Sequence, residues 1–195
     1  LLRKAKEMNY VYQDQIELNW DKVAYPEELE TSMTLKDGTE VSVRPVKPTD
    51  EEPFKDLFYG LSEKSRYHRF FTRMPFMHHG SRQTYVNVNY QEQVALAVVV
   101  DSAEGERFLG LGQYIKLPNQ PYAEVAFLVG DEWQHRGLGS MLMDYLIRIA
   151  RQAGLRGFDA EVLAENRAML SVFEALPYPL EMKLDSGSYH IRFQF

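Results

Sequence analysis

The chain has 195 residues, which favours one domain plus an appendage over two full cores, and its 45% hydrophobic and 13% aromatic content excludes wholesale disorder and fibrous or coiled-coil architectures. With 22 basic against 28 acidic side chains the net charge is −6 and no Lys/Arg-rich block occurs, so nucleic acid is not an expected partner; the acidity reads as solubility with a weak attraction for cationic substrates. The absence of cysteine excludes disulfides, thiolate zinc sites and cysteine nucleophiles and fits a cytoplasmic setting, and apolar runs such as Val94 to Val100 fall far short of the roughly 20 residues a membrane helix needs, so no membrane partner is expected.

Residues 1–33 carry an acidic cluster, Pro26 to Glu30, and scattered aromatics (Tyr10, Tyr12, Trp20, Tyr25); they read as an extension or linker ahead of a domain over 34–195. Leu1 to Met8 reads as the end of a short helix. Leu35 to Val41 reads as a hairpin, because Asp37-Gly38 supplies the positive φ of a tight turn. Val41 to Pro45 alternates like a half-buried strand, and Pro48-Thr49-Asp50 opens a helix with Glu51 and Glu52 in its first turn and Phe54, Leu57, Phe58 and Leu61 at helical spacing. A second helical stretch covers 62–73. There Tyr67, Phe70 and Phe71 share a face as core or cleft wall, and Ser65, Arg66 and Arg69 are candidates for a substrate entrance. His78-His79 reads as a surface or helix-end pair, since adjacent side chains diverge and no carboxylate stands at a metal-ligand spacing; no metal site is expected.

Val94 to Val100 and Arg107 to Leu117 form a predicted strand pair around a turn at 101–106, and Glu124 to Val129 is a further strand. A helix follows with Leu138, Met141, Leu142, Tyr145, Leu146 and Ile149 on its apolar face, ended by Gly154. Phe158 to Leu163 reads as a strand, Arg167 to Leu176 as a helix stopped by Pro177, and Leu180 to Leu184 with Ser188 to Phe195 as a closing hairpin around Asp185-Ser186-Gly187.

The informative segment runs from Val125 to Ser140, strand through turn into helix. Gly137 and Gly139 remove side chains where the helix begins, so the first backbone N–H groups can approach an anion and the helix dipole adds attraction, as a pyrophosphate requires. No Gly-Lys-Ser/Thr follows, so this is not a P-loop, and the G-x-G-x-x-G spacing of dinucleotide folds is absent. Two glycines at such a turn are equally compatible with turn geometry alone.

Gln134-x-x-Gly137-x-Gly139 resembles the acetyl-CoA motif Q/R-x-x-G-x-G/A of the GNAT superfamily of N-acetyltransferases. Tyr122 to Phe127, with Glu124, looks like the central strand of that family's protein-lysine acetyltransferases, and Glu165-Asn166-Arg167 looks like its asparagine-led helix start; the strongest likeness is to the catalytic domain of the bacterial protein-lysine enzymes. The resemblance covers most of residues 41–195. It implies an α/β (α+β) fold with a mixed, mostly antiparallel sheet of six to seven strands, splayed at the central strand and flanked by about four helices. It implies acetyl-CoA as cosubstrate, with the pantetheine arm on the backbone of Phe127, Leu128 and Val129, the pyrophosphate on Gln134, His135, Arg136, Gly137, Leu138, Gly139 and Ser140, and Asn166 on the pantetheine amide or capping its own helix.

Direct transfer to an amine needs a base for the amine, N–H groups for the developing oxyanion and a proton for the leaving thiolate. Glu124 is the candidate base, because a carboxylate in an apolar strand has its pKa raised by desolvation; the alternative turns it to solvent on an alternating strand. A tyrosine acid used by many family members is missing, Phe173 standing in its region, which leaves Ser171, Tyr178 or water. The expected acceptor is a protein lysine. Rival readings are a small-amine or amino-acid acetyltransferase and a non-catalytic acetyl-CoA-binding regulatory module. Leu1 to Met8 also resembles the last helix of CoA-transferase or acetyl-CoA hydrolase domains, which implies a module of a larger multidomain chain.

Overall fold

A computed structural model describes residues 24–103 and 105–195, so the expectations for Leu1 to Met8 and for Tyr10, Tyr12 and Trp20 lie outside the described residues. The chain runs β1 (Thr31–Thr34), β2 (Glu40–Pro45), α1 (Glu51–Gly60), α2 (Glu63–Phe70), α3 (His79–Val86), β3 (Gln93–Ser102), β4 (Gly105–Lys116), β5 (Tyr122–Val129), α4 (Leu138–Gln152), β6 (Gly157–Leu163), α5 (Arg167–Glu174), β7 (Leu180–Asp185) and β8 (Ser188–Gln194). The strands form one sheet in the order β1-β2-β3-β4-β5-β6-β8-β7, with every neighbouring pair antiparallel except β5 and β6.

Helices cover both faces. The continuous run in β3 serves both of them: Val94, Leu96 and Val98 point into a core shared with α4 and α5, while Ala95, Ala97 and Val99 point into a second core with α1, α2 and α3. A fully buried strand therefore shows no alternation of polarity. Gly110 and Gly112 let α4 lie close on β4. A Cβ at Gly110 would stand 3.0 Å from both the Leu128 carbonyl oxygen and Leu138 Cδ2, and one at Gly112 would stand 3.2 Å from Leu146 Cδ1.

The architecture is that of the expected mixed α/β class, with eight strands against the six to seven expected and five helices among the described residues against about four. The extra helix, α3, was not legible because its sequence His-Gly-Ser-Arg-Gln-Thr-Tyr-Val has no apolar repeat and buries only Val86 fully. The Asp37-Gly38 hairpin forms as predicted, with Gly38 at φ +85° and the Asp37 carboxylate accepting the Thr39 N–H at 3.0 Å. Its first strand begins at Thr31, a little before residue 34, and the Tyr145 hydroxyl donates to the Leu29 carbonyl at 2.9 Å, so residues just before the strand also pack on the domain.

One irregularity of the sheet positions everything that follows. β5 and β6 pair over only three rungs, Tyr122↔Gly157, Ala123↔Phe158 and Glu124↔Asp159. Beyond Glu124 the strands part, while β5 stays paired with β4 as far as Val129↔Gly110. The β6-facing edge of residues 125–129 is left without a strand partner.

Candidate active site

The fork between β5 and β6 opens into a cleft of about 380 Å³. Its floor is β5 from Glu124 to Val129, one wall is the loop into α4, the other is α5 with Glu161 and Val162 of β6, and α2 contributes Ser65, His68 and Arg69 at the mouth.

Glu124 stands on the last rung, at the vertex of the fork. Its side chain is partly buried and lines the cleft, so the alternative that turned it wholly to solvent does not hold. Desolvation lifts its carboxyl above the ordinary range, the Glu161 and Asp159 charges push the same way, and Arg69 opposes them. Parallel pairing and the two-residue period of strands put Asp159 and Glu161 on the face of the sheet that carries Glu124. Asp159 is committed to Arg192 through two bonds of 2.6 and 2.7 Å. Glu161 is only half committed: one oxygen accepts from the Ser188 hydroxyl at 2.8 Å, while the other is buried with no partner among the described residues.

The loop leaves β5 at Gly130, makes a short turn over Asp131–Trp133, and enters α4 through two left-handed residues, His135 at φ +62° and Gly137 at φ +88°. The positive φ at Gly137 explains the first motif glycine. A Cβ at Gly139 would touch only Val172 Cγ2, at the ordinary distance of 3.5 Å, so protein packing does not demand the second glycine; the cleft side of the helix start is bare. No side chain caps α4, and the Met141 N–H takes the Gly137 carbonyl, which leaves the Leu138, Gly139 and Ser140 N–H groups at the mouth of a 15-residue helix. This donor set suits a pyrophosphate.

Gln134 folds beneath the loop, where its amide donates to the Val129 carbonyl at 3.2 Å, Asp131 Oδ1 at 3.0 Å and Ser65 Oγ at 3.1 Å. Asp131 in turn accepts the Ser62 N–H at 2.7 Å and the Ser65 hydroxyl, tying the start of α2 to the loop. Asn166 caps α5, its Oδ1 accepting the Met169 N–H at 3.2 Å, and also lines the cleft, which leaves its amide nitrogen for a ligand.

Of the candidate residues, Glu124, Phe127, Leu128, Val129, Gln134, His135, Gly137, Leu138, Gly139, Ser140 and Asn166 all line the cleft. Arg136 does not. Its guanidinium lies 3.1 Å from Asp37 Oδ2 and 4.7 Å from the centre of the Trp133 ring, on the outside of the loop. Ser65 and Arg69 reach the mouth, whereas Arg66 packs over Phe58. Among the described residues no tyrosine lines the cleft: Phe173 is core, Tyr178 stacks on Phe193 with its hydroxyl toward Arg151, and Ser171 alone of the suggested hydroxyl donors lines it. Phe71 lines the cleft, one of the two places the sequence allowed it, whereas sequence reasoning missed Lys36, His68, Trp133 and Glu161. Only Glu161 left a signal, as a second carboxylate in an otherwise apolar strand.

His79 bonds Glu51 across α3 and α1 at 2.6 Å. No group of three or more metal-ligating side chains occurs among the described residues, nor is any described helix long and apolar enough to cross a membrane.

The family model for the acetyltransferase (GNAT) family matches residues 61–176, more than half of the chain, and the chain belongs to that family. It is an N-acetyltransferase domain. Its relatives include a Pseudomonas aeruginosa acetyltransferase, 28% identical over 145 residues that cover 74% of this chain and 78% of the relative, and the acetyltransferase Pat of Mycolicibacterium smegmatis, 48% identical over 58 residues that cover 30% of this chain and 17% of Pat. Among solved structures, the GNAT domain of S. lividans PAT superposes with a TM-score of 0.79 at 30% identity, covering 88% of this chain and all of that one. The cAMP-binding acyltransferase from Mycobacterium smegmatis superposes at 0.57 with 25% identity, covering 85% of this chain, which spans about half of that protein.

Proposed function

We propose that the chain transfers acetyl directly from acetyl-CoA to the side-chain amine of a protein lysine, with Glu124 as base. The observation that carries this reading is the meeting, in one cleft, of an uncapped helix start suited to pyrophosphate and a carboxylate of raised pKa at the vertex of the fork. The unpaired edge of β5 is free to hydrogen-bond the amides of a pantetheine arm, and the N–H groups of 138–140 meet the phosphates.

The cosubstrate supplies an activated acetyl group as a thioester. Glu124 takes one proton from the incoming ammonium, through water, and the freed nitrogen bonds the acetyl carbon while the carbon–sulfur bond breaks. The second proton passes from the new amide nitrogen to the departing sulfur through water or Ser171, which lines the cleft although its hydroxyl is bonded to the Arg167 carbonyl at 2.9 Å. Backbone N–H groups on the free edge of β5 stabilise the carbonyl oxygen as charge develops. The absence of cysteine leaves no thiol for a covalent acetyl-cysteine route.

The acceptor is read as cationic because Glu161, one of whose carboxylate oxygens is buried with no partner among the described residues, lines the cleft and adds its charge to that of Glu124, so an ammonium would enter the field of two acidic groups. A cytoplasmic setting and a longer parent chain go with this reading. The test is a panel of lysine peptides, folded protein acceptors, polyamines and free amino acids with acetyl-CoA. Turnover of peptide or protein lysine is expected; turnover confined to small amines would overturn the acceptor, and undiminished transfer by Glu124→Gln would overturn the base.

A further inference from the structure

The β1–β2 turn reaches across to the loop that enters α4, and its four residues divide the labour. Leu35 is buried in the α4 core, Gly38 provides the positive φ, and Asp37 pairs with Arg136 at 3.1 Å, which fastens the turn to the loop. Between them Lys36 is exposed yet lines the cleft. Its Cγ, Cδ and Cε lie 3.1 to 3.2 Å from the place a Cβ would take on Gly137, so the aliphatic stem lies along the bare side of that glycine.

Arg136, the cation the motif itself supplies, is spent on Asp37 and on the Trp133 ring and does not line the cleft. Among the described residues Lys36 has no ion-pair partner, and it lines the same cleft as the helix start whose N–H groups at 138–140 are arranged to hold an anion. We infer that Lys36, and not Arg136, is the side-chain cation that binds the pyrophosphate of the cosubstrate, which makes the β1–β2 turn part of its site. Asp37 thereby acts twice, neutralising the wrong cation and aiming the right one. The inference rests on the acetyl-CoA reading above.

Titration calorimetry of the 195-residue chain with CoA and with dephospho-CoA, which keeps the pyrophosphate but lacks the 3′-phosphate, separates the two. If wild-type protein binds neither, the acetyl-CoA reading itself fails. With wild-type binding established, Lys36→Ala is expected to weaken both ligands by about tenfold and equally, the scale of one partly exposed charge-assisted hydrogen bond, and Lys36→Arg to restore most of the loss. The variant should also flatten the dependence of CoA affinity on salt, because one ionic contact is gone. Unchanged affinity in Lys36→Ala would overturn the inference, and a loss seen with CoA but not with dephospho-CoA would overturn the pyrophosphate assignment by moving Lys36 to the 3′-phosphate. The residue is exposed, so an unaltered thermal midpoint in both variants serves as the folding control.

Discussion

In the proposed mechanism Glu124 acts as a base only when ionised, and its surroundings set where that happens. Desolvation with Glu161 and Asp159 raises its carboxyl pKa, so the acid limb of the kcat/KM profile should stand above the ordinary glutamate value, with activity falling as pH drops and the group takes up a proton. Arg69 works in the opposite direction. Arg69→Gln removes the favourable charge, and the limb should move to still higher pH; a limb that stays in place would show that Arg69 does not act on Glu124. In Glu124→Gln the limb should vanish and kcat fall by roughly 10²- to 10⁴-fold, the usual range for a lost general base, while CoA affinity measured by calorimetry stays as in wild type. Glu124 was legible in the sequence because a lone carboxylate in an apolar strand is costly unless it has a task. Glu161 left only the trace of a second carboxylate in its strand and Lys36 left none, since what brings them to the site is the register of β6 and a turn folded over from 101 residues away along the chain.

At the scale of elements, α2 is attached to the loop through one carboxylate. Hydrogen bonds from Ser65 and Ser62 hold the Asp131 carboxyl below the ordinary range against the desolvation that would raise it. The contribution of these bonds to stability is therefore present above the ordinary aspartate pKa and is lost as pH falls through the depressed one. Asp131→Ala should lower stability by about 1 kcal/mol, given partial exposure, as read from the shift of the denaturant midpoint. It should also raise the acceptor KM more than the acetyl-CoA KM, because α2 carries His68 and Arg69 to the mouth; equal effects on both would show that the tie does not position α2. The 3.6-residue repeat of Leu138 to Ile149 made α4 readable, and the Asp37-Gly38 and Ser186-Gly187 turns made two hairpins readable. α3 escaped for want of an apolar stripe, and the start of β1 at Thr31 because four half-exposed residues, Thr-Ser-Met-Thr, carry too short an alternation to mark where the strand begins.

For the whole molecule, strand order was beyond any local pattern. Nothing in Leu180 to Phe195 says that β8 inserts between β6 and β7, and the parting of β5 from β6 after three rungs was implied only by family resemblance. Ligand binding should show at this scale. With CoA at 100 times its dissociation constant the folded state gains about 2.7 kcal/mol, so the thermal midpoint should rise, and amide exchange should slow both at residues 125–129 and at 138–140. A rise in midpoint with no protection of 125–129 would place the ligand elsewhere than along β5.

The three rungs between β5 and β6 have a mechanical meaning. Five strands on one side and three on the other are sutured by Tyr122, Ala123 and Glu124 alone within the sheet, so a rod-like molecule laid in the fork acts as a splint, supplying from outside the continuity that the chain withholds. The residue at the end of the suture is Glu124. Any flexing of one half against the other is levered about the very carboxylate that the proposed proton transfer needs held still, and a seated cosubstrate would damp that motion before an amine arrives.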